Sequence, residues 1–254
     1  MLDFLMADRT GPQMLLIAAA AFIAGLARGF AGFGAALIFM PLASAVVGPK
    51  LAAPLLLIVD GIASLGLLPD AWPKADKRNI AVMVIGGLIG VPLGAHLLAT
   101  MDPLALRWMI AAVVALLLAL LASGRRYRGR PTPPLTVLVG AISGVFSGAA
   151  GTGGPPVVAY WLGSPASQDI VRANIVGYFA VSTVITVASY TMGGLFIWPL
   201  VPLACVTGPL YGLGLYGGTQ LFGFASEATF RAIALSLIAA ACLFGLPVLD
   251  PLLH

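Results

Sequence analysis

Apolar positions in this chain are gathered into long runs, over 14–47, 51–68, 80–99, 104–122, 135–162, 170–190, 195–224 and 230–246. An α-helix needs about 20 apolar residues to cross a hydrocarbon core of about 30 Å. The pattern therefore predicts eight apolar helical segments, four on each side of a stretch, Gly124–Pro134, that combines four arginines with prolines. The first run, Met14 to Val47, is 34 residues long and as one helix would extend about 50 Å. It must be interrupted, and the expected place is Arg28–Gly34, which divides it into two pieces of about fifteen residues each.

The two halves echo each other. Gly25, Gly29, Gly32 and Gly34 recur in the same spacing as Gly144, Gly148, Gly151 and Gly153, at an offset of 119. A second match, at an offset of 124, pairs Gly90, Gly94, His96 and Arg107 with Gly214, Gly218, Gln220 and Arg231. Internal duplication is the mark of secondary transporters, whose substrate sites form where the repeats meet. The expected fold is an all-α polytopic membrane protein with two homologous repeats, 1–123 and 135–254, of about four segments each. The basic linker 124–134 joins them, and the first segment of each is broken at a glycine-rich motif.

Basic residues in short loops are retained on the cytoplasmic side. Loop 70–79 carries Lys74, Lys77 and Arg78, and loop 124–134 carries Arg125, Arg126, Arg128 and Arg130, so both are expected to be cytoplasmic. If each broken segment is a kinked span, the repeats are parallel. If it dips in and returns as a hairpin, each half has three crossings plus the hairpin and the repeats are inverted. The hairpin gives the larger basic asymmetry and is the preferred reading. Residues 1–13 lack a basic region followed by a cleavage site, so the first helix is expected to be retained.

Composition sharpens the class. Of 254 residues, 60% are apolar and 9% charged, against roughly 45–50% and 25% in soluble domains. The 31 glycines and 19 prolines suit close-packed and broken membrane helices. The net charge of +4 is spread over interhelical loops, which argues against nucleic-acid binding. Cys205 and Cys242 have no metal spacing and read as packing residues. No GxSxG, HExxH or Walker A pattern occurs, so neither an enzyme nor an ATP-driven pump is expected, and no cofactor or metal is implied.

Candidate chemistry centres on the two interruptions. Gly29, Gly32, Phe33 and Gly34 stand at the first, and Gly151, Thr152, Gly153 and Gly154 at the second, followed by Pro155 and Pro156. A helix beginning after each would present amides and the positive end of its dipole, which favour an anion. The alternative is that the glycines serve close packing, since Gly25/Gly29 and Gly144/Gly148 are also GxxxG pairs. Arg28, beside the first interruption, is either the counter-charge for an anionic substrate, with a planar fork of donors, or a structural partner of Asp60. Ser147 occupies the matching position. It and Thr152 either donate to substrate or bond their own helix. Asp60 is also a candidate for proton coupling. His96, Asn174 and Gln220 are weaker candidates for lining a pathway. Asp102 and Ser226 read as N-caps, and Trp72, Trp108, Trp161 and Trp198 as interfacial anchors.

The motif from Gly25 through Arg28 and Gly34 to Pro41, its echo from Gly144 to Pro156, and the duplicated plan resemble the TauE/SafE family of sulfite and organosulfonate exporters. The resemblance covers essentially the whole chain. It implies export of anions such as sulfite or sulfoacetate across the bacterial inner membrane. The transport mode expected here is alternating access, with small anions and lipid as partners. Ser147 in place of an arginine means that the halves contribute unequally. Open alternatives are an importer or channel for another small anion, and a non-transporting membrane subunit. Oligomeric state is not readable.

Overall fold

The computed structural model describes residues 11–31, 34–65, 68–124, 129, 132–164, 166–221 and 227–249. Among the described residues the regular structure is helical: α1 Gly11–Ala31, α2 Ala35–Val47, α3 Pro49–Leu65, α4 Leu68–Ala71, α5 Lys77–Thr100, α6 Pro103–Ser123, α7 Pro133–Ala150, α8 Gly154–Trp161, α9 Gln168–Met192, α10 Leu200–Leu221 and α11 Glu227–Phe244, with 3-10 turns at Trp72–Lys74 and Pro247–Leu249. The four linker arginines and Ser226 lie outside the described residues.

The first apolar run is broken where expected but unequally, into 21 residues of α1 and 13 of α2. Two local signals account for this. Gly11-Pro12 lets α1 start upstream of the run, since proline is tolerated in a first turn, and the helix continues past Arg28 to Ala31. Helix α2 then starts after Gly34, whose φ of 97° lies in the left-handed region open to glycine. In the run 135–162, Gly151 closes α7 in the same region, at φ 66°. Its N–H is donated to the Ser147 carbonyl at 2.8 Å, an αL cap.

Helix α8 runs back along α7. The Ser143 hydroxyl donates to the Gly153 carbonyl at 2.7 Å, and the Thr136 and Tyr160 hydroxyls are 2.6 Å apart. The start of α8 thus lies against the later part of α7, and its end against the beginning of α7. Among the described residues six helices are long and apolar enough to cross a membrane: α1 over Gly11–Gly29, α5, α6, α7, α9 and α10. The first piece of each broken run is therefore long enough to span by itself, where for the run 14–47 the sequence suggested pieces of about fifteen residues.

The chain forms two compact units, one from residues 1–60, 101–118 and 195–254, the other from 61–100 and 119–194. In the first, α1 and α10 meet along a glycine seam. A methyl on Gly25 would overlap the Tyr211 carbonyl, one on Gly29 the Leu215 carbonyl, and one on Gly214 the Phe22 carbonyl. In the second, α5 and α7 meet in the same way, Gly86, Gly90 and Gly94 against Gly140, Gly144 and Gly148 and their neighbours. Lipid offers no hydrophobic drive for helices to associate, so close backbone approach of this kind is a principal source of cohesion. Each unit thus packs the helix with the first glycine motif of one sequence half against the helix with the second motif of the other.

Tyrosines from α9 add to the second unit, as Tyr178 and Tyr190 donate to the carbonyls of Gly140 at 3.2 Å and Gly148 at 2.8 Å. Trp161 is a correction to the expected anchors. It is buried in a cluster with Ile80, Met83, Val157 and Tyr178, because the return of α8 along α7 carries it inside, whereas Trp72, Trp108 and Trp198 are exposed. Of the two cysteines expected to pack, Cys242 is buried and Cys205 is exposed. Asp102 caps α6 as expected, accepting from the N–H groups of Leu104 and Ala105 at 2.9 and 3.1 Å.

Candidate functional site

Gly25, Arg28 and Gly29 are spaced i, i+3, i+4 on α1 and so share one helix face. The two glycines bring that face against Tyr211 and Leu215 of α10. Arg28, in the last turn of α1, sits favourably at the negative end of the helix dipole. Its Nε lies 3.1 Å from Oδ1 of Asp60 on α3. The hydroxyl of Tyr211, a side chain only 1% exposed, donates to that same oxygen. The structural partner considered for Arg28 is therefore present, with a third member that the sequence did not single out. Arg28 and Asp60 retain 18% and 27% side-chain exposure, so the pair is shielded but reachable.

Gly29 is fully used in the seam, where no side chain would fit. Gly34 supplies the left-handed turn that starts α2, and its carbonyl accepts from the Leu37 N–H at 3.0 Å. Gly32 and Phe33 lie outside the described residues.

At the second break much of the polar capacity is committed to the fold. The Gly151 N–H closes α7, the Thr152 N–H donates to the Phe146 carbonyl at 3.1 Å, and the Thr152 hydroxyl donates to that carbonyl at 3.3 Å. Pro155 and Pro156 have no N–H to offer. The amides of Gly153 and Gly154 are the ones left over by the α7 cap. Gly153 lies against the hydroxyls of Ser147 and Ser143, with no room for a side chain, whereas nothing crowds Gly154. Ser147, which matches Arg28 in sequence, is 8% exposed.

The weaker candidates are dispersed. Asn174 is buried, and its Oδ1 accepts from the Asp76 N–H at 2.7 Å, while Asp76 in turn accepts from the N–H groups of Arg78 and Asn79, both at 3.1 Å, at the start of α5. His96 is exposed on α5 in one unit, and Gln220 is exposed on α10 in the other. Among the described residues no group of three or more His, Cys, Asp or Glu side chains is arranged to hold a metal.

Tyr211 and Ser143 are the site neighbours that sequence reasoning missed. Each lies beside a glycine of an echoed motif, Tyr211 three residues before Gly214 and Ser143 directly before Gly144. That proximity is the signal that could have found them.

No curated protein and no solved structure is detectably similar to this chain. Residues 17–244 match the family model described as sulfite exporter TauE/SafE. The match takes in both glycine breaks and the contact of Arg28, Asp60 and Tyr211, and runs from α1 into α11. The chain is a multi-pass membrane protein and belongs to the sulfite exporter TauE/SafE family.

Proposed function

We propose that this protein is a secondary transporter that exports small sulfur-containing anions, sulfite and organosulfonates such as sulfoacetate, by alternating access across the bacterial inner membrane. The observation that carries the reading is the arginine beside a helix break, held at 3.1 Å by an aspartate on another helix. An ionised pair within apolar helices is costly to retain for stability alone, because well-packed apolar residues usually serve as well or better. Its retention is understandable if one member is needed as a charge. Arg28 offers a planar fork of donors suited to two oxygens of a sulfite or sulfonate group. It is the anion's counter-charge in this proposal, and Asp60 holds it when no anion is bound.

In the other unit, the leftover amides of Gly153 and Gly154 and the hydroxyl of Ser147 are by themselves donors suited to an anion. The two sequence repeats are proposed to be inverted, with loops 70–79 and 124–134 cytoplasmic. Supporting this are the return of α8 along α7 and the exposure of Lys74, Lys77 and Arg78. Asp60 is the proposed proton-coupling group.

The test is efflux of sulfite and of sulfoacetate from vesicles reconstituted with the purified protein alone. Efflux above that of empty vesicles is expected for one or both. Release no faster than from empty vesicles under every imposed gradient would contradict transport by this chain, and uptake without efflux would contradict its direction.

A further inference from the structure

The geometry points to a specific form of coupling: anion and proton bind to this site together and travel in the same direction, with Tyr211 as the residue that positions Asp60. The inference rests on the reading of Arg28 as the anion's counter-charge. Among the described residues, the charged and titratable side chains set against Asp60 are Arg28 from α1 and Tyr211 from α10. Both act on Oδ1.

Charge in the four possible states decides the direction of coupling, and a proton on Asp60 with no anion leaves the site net positive. With no ligand, Arg28 and ionised Asp60 neutralise each other. With a singly charged anion on Arg28 and a proton on Asp60, the site is neutral again. With the anion bound and Asp60 still ionised, it carries a net negative charge among apolar helices, a state disfavoured by several kcal/mol. The ligand and the proton thus favour each other's binding. Exchange of an outgoing anion for an incoming proton would require the opposite, that each exclude the other. No bond other than the O–H of the Asp60 carboxyl is formed or broken, and its proton comes from water.

Tyr211 holds the Asp60 carboxylate in place against Arg28. Its backbone is fixed where Gly25 allows α1 and α10 to touch, and its hydroxyl donates to the carboxylate oxygen that faces Arg28. Without this hydrogen bond the carboxylate is free to turn away from Arg28, and the tie between anion and proton weakens.

The test uses an alkanesulfonate such as methanesulfonate, whose charge is constant across the mildly acidic and neutral range, so that pH acts on the protein alone. Vesicles holding the full-length protein, a pH-sensitive dye and an outward gradient of this anion are clamped electrically with potassium and valinomycin. Efflux with alkalinisation of the lumen is expected. Efflux with acidification, or with no pH change, would overturn the coupling while leaving anion export standing. Absence of efflux of methanesulfonate and sulfite alike would overturn the export reading, and the coupling with it.

Binding to the detergent-solubilised protein gives a second, variant-based reading. Affinity for methanesulfonate should rise about tenfold per unit fall in pH, as one linked proton requires. Asp60→Asn should remove that slope, and Tyr211→Phe, which frees the carboxylate to turn from Arg28, should make it shallower. An unchanged slope in Tyr211→Phe, from a protein whose thermal unfolding is cooperative, would remove Tyr211 from the device, and a retained slope in Asp60→Asn would remove Asp60.

Discussion

Arg28 and Tyr211, one on α1 and the other on α10, converge on a single oxygen, Oδ1 of Asp60, from helices locked together by Gly25 and Gly29. Arginine and tyrosine are therefore held by backbone packing, and the carboxylate is held by them.

The ion pair makes a clear prediction about stability. Arg28→Ala leaves Asp60 as an uncompensated charge and should destabilise the protein by roughly 2 kcal/mol, below the 3–5 kcal/mol of fully buried pairs because both side chains retain some exposure. Adding Asp60→Ala removes that charge and should restore much of the loss. Thermal unfolding of both variants in detergent measures this, and a double variant less stable than the single one would contradict it.

The glycine seams predict a contrast within one helix. Gly214→Ala places a methyl against the Phe22 carbonyl, whereas Gly212 and Gly217, on the same helix, have nothing within 4 Å of the added atom. Overpacking should cost about 1–3 kcal/mol at Gly214. At Gly212 or Gly217 the change should be neutral or slightly stabilising, since alanine is the better helix former. Unfolding temperatures of the three single variants decide the matter.

How much of this was legible in the sequence depends on which interactions leave a local pattern. The glycine spacings were visible because each motif lies within a few helical turns, as was the possible pairing of Arg28 with Asp60, since charges in apolar runs stand out. What the spacing could not reveal was partnership. Gly25 and Gly29 meet Gly214 and its neighbours, and Gly144 meets Gly90, because the chain packs a helix of one half against a helix of the other. No periodicity encodes such a choice. Tyr211 escaped because a tyrosine in an apolar run looks like any amphipathic membrane residue until its hydroxyl is seen to reach a carboxylate. The unequal pieces of the first run escaped because hydropathy marks where apolar residues begin, and Gly11-Pro12 starts the helix before them. Thr152 and Gly151 looked like free donors only while the cap of α7 was out of sight.

The start of α8 is tied to α7 by Ser143. Its hydroxyl, fully buried, donates to the Gly153 carbonyl at 2.7 Å. Ser143→Ala should cost about 1 kcal/mol, the usual net worth of such a bond, and should raise amide exchange at Gly153 and Gly154 more than at Gly90. Hydrogen exchange followed by mass spectrometry is the check. Uniform exchange across α5 and α8 would mean that this bond does not hold the turn.

The central claim is that Arg28 is present for its charge and not for the fold. It is tested most directly by sulfite efflux from vesicles containing the Arg28→Ala/Asp60→Ala protein, in which the pair is removed as a neutral unit. The account predicts a folded protein whose efflux falls to the level of empty vesicles. Efflux near that of the unaltered protein would contradict it.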